Sequence, residues 1–176
     1  MDEHSLISGL KDKDKKALAY LYDHYADALY GVILRITREE DLAEEVLQDA
    51  FMRFWDRIGQ YEKGKGTLFT WMMAIARNLA LDKLRAKGMK LRSKSDSLSD
   101  NVYQLDKENY TETSTDAIGL DSALKELTDD QRFVIDKLYF RGYTQSEVAK
   151  EYDIPLGTVK TRLRAAMVRL KKVIIP

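Results

Sequence analysis

The stretch YTQSEVAKEYDIPLGTVKTRLRAAMVRLKK, Tyr143 to Lys172, decides the fold of the chain's second half. Thr144 and Glu147 have the spacing of a capping box, which satisfies the orphan amides of a helix start. The pattern predicts a short helix to about Asp153, apolar at Val148, Ala149 and Tyr152. Pro155 stops it, because Ile154 before a proline is pushed away from helical angles. Gly157 permits tight re-entry into a second helix. There Val159, Leu163, Ala166 or Met167, and Leu170 recur at the spacing of a buried stripe. The pattern is a helix-turn-helix.

Its second helix is basic throughout. Lys160, Arg162, Arg164, Arg169, Lys171 and Lys172 fall between Gly157 and Lys172 with no acidic residue among them. Thr158, Lys160, Thr161, Arg162 and Arg164 lie opposite the apolar stripe. Such a helix fits the DNA major groove, where Arg and Lys meet guanine edges and Thr meets base edges or phosphate. A charge run alone is commonly no more than a solvated face. The capping box, the proline turn and the unbroken positive sign together favour DNA.

Composition bounds the rest. The 176 residues carry 29 basic and 29 acidic side chains for a formal net charge of zero, so positive charge must be sorted locally. Cysteine is absent, which removes disulfides, thiol chemistry and cysteine-based zinc sites. No apolar run approaches a membrane span, and the first residues lack the apolar core of a signal peptide. A cytoplasmic chain without membrane insertion is expected.

Helical periodicity covers Leu18 to Ile36, Asp41 to Ile58 and about Leu68 to Lys87. From Gly88 to Thr115 the residues turn polar, a linker composition. Periodicity resumes near Asp116, and Thr128 with Gln131 forms another capping box before a helix ending at Gly142. The expected fold is all-α, two helical domains joined by a flexible linker. The domains run 1–90 and 116–176, with 91–115 as the tether.

In DLAEEVLQDAFMRFWDRI, Asp41 to Ile58, a wide apolar stripe lies beside Asp41, Glu44, Glu45, Gln48 and Asp49. Acidic residues in the first half suit the helix dipole. The face is either a solvated surface or a dock for a basic protein. No HExxH-type spacing supports a metal site, His4 and His24 stand alone, and no cofactor is expected.

The loop GQYEKGKGT, Gly59 to Thr67, places Tyr61, Lys63 and Lys65 among glycines but lacks the spacing of a nucleotide-binding loop. In the helix after it, Trp71, Asn78 and Arg85 are seven residues apart and share roughly one face. Stacking, base-edge hydrogen bonding and phosphate contact suit single-stranded DNA. Trp71 is equally readable as core.

At this point AEEVLQDAFMRFW (Ala43–Trp55), FTWMMAIARNLALDKLR (Phe69–Arg85) and LTDDQRFVIDKLYFRGYTQSEVAKEYDIPLGTVKTRLRAA (Leu127–Ala166) resemble regions two and four of the extracytoplasmic-function (ECF) group of bacterial sigma-70 family factors. The resemblance implies that the first domain binds the beta-prime clamp helices of core RNA polymerase and melts the minus-10 element of promoter DNA. The second would bind the beta flap and read the minus-35 element. It places Asp41, Glu44, Glu45, Gln48 and Asp49 on core polymerase, and Tyr61 to Thr67 around a flipped base with Asn78 and Arg85 nearby. It adds an anti-sigma factor as a candidate partner. The chain would lend recognition to an enzyme without being one. The rivals are an autonomous helix-turn-helix regulator and, more distantly, a metal-dependent nuclease using the carboxylates of residues 41–49, for which the sequence arranges no nucleophile and base.

Overall fold

The computed structural model describes residues 1–94 and 120–174, and among them it is helical with no strand. Helix α1 (Glu3–Lys11) starts where Asp2 accepts the Ser5 amide at 2.9 Å. Leu6 and Leu10, one turn apart, are its buried side. Gly9 lies so close to α2 that a Cβ added there would meet Ala17 Cβ at 2.8 Å. A left-handed Lys13 turns the chain into α2 (Lys15–Thr37), capped by Asp14.

Helices α2, α3 (Glu40–Arg57) and α4 (Leu68–Lys94) pack against one another as a three-helix bundle. Leu21, Leu29, Ile33, Val46, Phe54, Phe69 and Met72 are almost fully excluded from water at its centre. Each such side chain contributes about 1.5–3 kcal/mol of transfer free energy. Two short 3₁₀ turns, Ile58–Gln60 and Lys63–Lys65, carry the chain from α3 to α4. Helix α4 continues past the expected stop near Gly88 as far as Lys94. One glycine costs a helix only about 1 kcal/mol relative to alanine, and the Met and Lys that follow favour continuation.

The second bundle comprises α5 (Leu120–Lys125), α6 (Asp129–Ile135), α7 (Gln145–Glu151) and α8 (Leu156–Ile174). The expected restart at Asp116 lies outside the described residues. A π-turn, Asp136–Phe140, prolongs α6 until Gly142, at φ 72°, reverses the chain. Domains this small bury a modest fraction of their surface. Here the core does not stop at the bundle's edge. Leu120, Leu124, Ile135, Tyr139, Phe140 and Leu170 face a small apolar cavity shared with Val32 and Met73 of the first bundle.

Candidate nucleic-acid interface

The helix-turn-helix forms as its residues dictate. Thr144 Oγ1 accepts the Glu147 amide at 3.2 Å while Glu147 accepts the Thr144 amide at 2.7 Å. Thr128 and Gln131 repeat the arrangement at the start of α6. Helix α7 ends at Glu151, two residues earlier than the periodicity suggests. Asp153 adopts the left-handed conformation, φ 50°, and the Ile154 amide reaches back to the Ala149 carbonyl at 3.0 Å. Pro155 then opens α8 by offering its carbonyl to the amides of Thr158 and Val159.

Helix α8 buries Val159, Ala166, Met167 and Leu170. Lys160, Thr161 and Arg164 are exposed on its outer side, and Thr158 is half-buried. The Thr161 hydroxyl donates to the Gly157 carbonyl at 2.8 Å, which leaves its oxygen lone pairs outward as acceptors. Arg162 differs from its neighbours. Its guanidinium is 2.7 Å from Asp130 at the start of α6, with 28% of the side chain exposed. It braces α8 against α6, while the Arg164 side chain is exposed.

In the first bundle, Asp41, Glu44 and Gln48 are exposed on α3. Glu45 and Asp49, also exposed, reach sideways to α4. Lys83 pairs with Glu45 and lies 3.1 Å from Asp49. These bonds, Glu45 first, raise the Lys83 pKa above the usual lysine value. Lys87 and Glu39 make a parallel α3–α4 bridge. The acidic face is thus partly neutralised; Met52 on α3 and Tyr22 on α2 are also exposed.

The loop before α4 is built around Tyr61. This ring is buried, its hydroxyl donates to the Gly66 carbonyl at 3.0 Å, and burial pushes its pKa up. Tyr61 therefore frames the loop from inside, while Lys63 and Lys65 stand outside with Lys65 paired to Glu62 at 2.8 Å. Trp71 is half-buried against Tyr61 and Phe54, with ring centroids 5.7 and 5.9 Å away. Asn78 and Arg85 are exposed further along α4. The Asn78 amide oxygen accepts from Arg77 at 2.8 Å, and Arg85 lies 3.4 Å from Asp82.

Sequence reasoning passed over Arg77 and read Lys83 and Lys87 only as a run of positive charge at the domain edge, suited to a DNA-backbone contact; in the structure Arg77 holds Asn78, Lys83 holds Glu45 and Asp49, and Lys87 holds Glu39. Their local signal is only a cation at helical spacing from the apolar stripe; their partners are distant in the chain. Among the described residues no group of His, Asp or Glu is arranged to hold a metal ion. No described helix is long and apolar enough to cross a membrane.

The family model for Sigma-70 region 2 matches residues 21–89, and that for Sigma-70, region 4 matches residues 123–172. The chain is 30% identical over 175 residues to the ECF RNA polymerase sigma factor RpoE of Cereibacter sphaeroides, covering 96% of this chain and 92% of the relative. It is 28% identical to the ECF RNA polymerase sigma factor SigK of Mycobacterium bovis, covering 97% and 92%. Among solved structures, Rhodobacter sphaeroides SigE in complex with the anti-sigma ChrR aligns with a TM-score of 0.52 at 26% identity, over 96% of this chain and 95% of that one. With both regions matched in order on two helical bundles, and a relative this similar along nearly its whole length, the chain belongs to the ECF group of sigma-70 RNA polymerase sigma factors.

Proposed function

We propose that the chain binds core RNA polymerase and directs promoter-specific transcription initiation, with the labour divided between its two bundles. The exposed row Asp41, Glu44 and Gln48, flanked by the acidic Glu45 and Asp49, docks on the beta-prime clamp helices. The loop framed by Tyr61, with Lys63 and Lys65, receives an unstacked minus-10 base, and Trp71, Asn78 and Arg85 contact the melted strand. Helix α8 reads the minus-35 element through Thr158, Lys160, Thr161 and Arg164, with Arg162 holding it in register. The second bundle also meets the beta flap.

The observation that carries this reading is the helix-turn-helix with outward Lys160, Thr161 and Arg164, standing in one chain with a region 2 bundle. Catalysis stays with the polymerase; the chain supplies recognition, and such a role puts it in the cytoplasm. Two weak DNA contacts gain affinity when polymerase fixes their spacing, since the second becomes intramolecular. The SigE relative was solved with an anti-sigma protein, which supports a partner of that class here. An autonomous regulator finds no support among the relatives.

Co-elution of the purified chain with core polymerase from the source organism, without DNA, tests the reading. Stoichiometric co-elution is expected. Clean separation of a demonstrably folded chain would overturn it.

A further inference from the structure

Lys137, in the π-turn that prolongs α6, is partnered unlike the arginines around it. Arg132, Arg141, Arg162 and Arg169 each lie within 4.0 Å of a carboxylate. Among the described residues Lys137 has no carboxylate at that distance. Its Nζ instead lies 4.9 Å from the ring centre of Tyr152, 5.6 Å from Phe133 and 5.8 Å from Tyr143. All three fall within the roughly 6 Å over which a ring attracts a cation. A lysine stem that merely covered apolar surface would carry its head into water.

The three rings come from three places. Phe133 is one turn earlier on α6, Tyr143 follows the reversal at Gly142, and Tyr152 is the C-cap of α7. Phe133 and Tyr152 meet edge to face, with centroids 4.9 Å apart at 88°, and Tyr143 lies 6.2 Å from Tyr152. The Tyr143 hydroxyl donates to Glu151 at 3.0 Å, and its amide donates to the Lys137 carbonyl at 3.0 Å. Backbone and side chain of Lys137 therefore converge on the same tyrosine. The π-turn, a locally widened helix of a kind frequent at functional sites, is where this happens.

Tyr152 is the last residue before the left-handed Asp153 and the Ile154–Pro155 step that opens α8. Helix α6 thus grips the motif twice. Asp130 holds Arg162 near the start of α8, and the caged lysine holds the end of α7. In a helix-turn-helix the second helix reads bases while the first crosses the backbone, so the angle between them decides whether both contacts form together.

We propose that Lys137 is a positioning residue for minus-35 recognition: its ammonium, caged by Phe133, Tyr143 and Tyr152, holds the end of α7 on α6 and sets the α7–α8 angle at which Lys160, Thr161 and Arg164 meet the groove. Lys137 itself touches no base. Its consequence for promoters rests on the sigma-factor reading; the cage does not.

Two substitutions separate charge from packing. Lys137→Met keeps an unbranched apolar stem and removes the charge, whereas Lys137→Arg keeps a cation that stacks on rings. Tyr152→Leu removes the nearest ring. The probe is a promoter whose minus-35 element has been selected from random DNA by the wild-type holoenzyme, set against the same promoter with that element scrambled. Preference for the selected element should fall about fivefold in Lys137→Met and Tyr152→Leu and stay within about twofold of wild type in Lys137→Arg, at unchanged core affinity and helical content. In the free full-length chain, ring currents should place the Lys137 ε-methylene protons upfield of the other lysines, identified by their loss in Lys137→Met, and Tyr152→Leu should diminish that shift.

An ordinary lysine shift in the folded wild-type chain overturns the cage. Wild-type preference in folded Lys137→Met, or Lys137→Arg as poor as Lys137→Met, overturns the role of the charge. A loss in Lys137→Met matched by an equal loss of core affinity or helical content marks general stabilisation and overturns positioning. The proton shift is read without polymerase or DNA, so its failure is distinct from a wild-type holoenzyme that selects no element, which would count against the sigma reading.

Discussion

The acidic face of α3 yields the sharpest prediction, because two neighbouring glutamates there should respond differently to the same charge reversal. Glu45→Lys removes the bridge to Lys83 and sets two ammonium groups against each other beside Asp49. An exposed ion pair is worth up to about 1 kcal/mol, and the new repulsion is of similar size, so the bundle should lose about 1–2 kcal/mol. That is a small part of the roughly 5–15 kcal/mol typical of a domain, and the protein stays folded. Glu44→Lys breaks no intrachain bridge among the described residues and should change stability by under about 0.5 kcal/mol. Both reversals place a like charge against a basic partner surface, a mismatch worth several kcal/mol and so a loss of binding of 100-fold or more. Urea denaturation separates the two variants, and core-polymerase titration should group them. Wild-type polymerase affinity in folded Glu44→Lys would refute the docking assignment and return this face to solvent.

Arg164→Ala should weaken holoenzyme binding to its promoter by about 1–3 kcal/mol at one minus-35 position while leaving core binding intact; a uniform loss across sequences with a reduced salt slope would mark a phosphate contact instead. Arg162→Ala, which frees Asp130, should add a stability loss visible in thermal melts that Arg164→Ala does not show. Tyr61→Phe removes the hydroxyl bond to Gly66 and should cost about 1 kcal/mol, with faster proteolytic nicking between Glu62 and Thr67 as the readout. The Tyr139 phenol is pushed up to about 12 by burial, against an ordinary value of 10.0. The unfolded chain therefore releases this proton first, and stability present below pH 10 should decline as pH rises towards 12, measured by circular dichroism during alkaline titration.

Much of this was readable before any coordinates. Capping boxes are local, so Thr144 with Glu147 and Thr128 with Gln131 announced their helices from four residues each. The apolar periods marked α2, α3 and α8 because each buries one face against a neighbour. Helix α1 escaped notice: two leucines over nine residues make too short a pattern, although Asp2 at its start is a cap signal. The site was legible as faces and not as bonds. Periodicity places Glu45 and Asp49 on one side of α3, but nothing local says that Lys83, more than thirty residues on, will take both. Tyr61 reads as a loop aromatic among glycines and lysines, yet tertiary burial turns it inward, and Trp71 is half-buried, between its two readings.

The paired residues explain how a chain of zero net charge can serve two polyanion-facing surfaces. Arg162 with Asp130, Arg169 with Glu126 and Lys171 with Glu3 occupy half of the six basic side chains of α8. Binding DNA with those residues means exchanging one anion for another, so their net gain is the difference between two pairings. Lys160, Arg164 and Lys172 have no carboxylate within 4.0 Å among the described residues, and they offer phosphate or base a full interaction. The same accounting holds in the first bundle, where Lys83 and Lys87 are committed to α3. Counterion release scales with the cations that newly meet phosphate, about 0.9 per contact. Helix α8 by itself should therefore gain less from DNA than its sequence charge implies. Specificity then rests on both elements being held at once, which is the task of a subunit that works only when a polymerase fixes the distance between its halves.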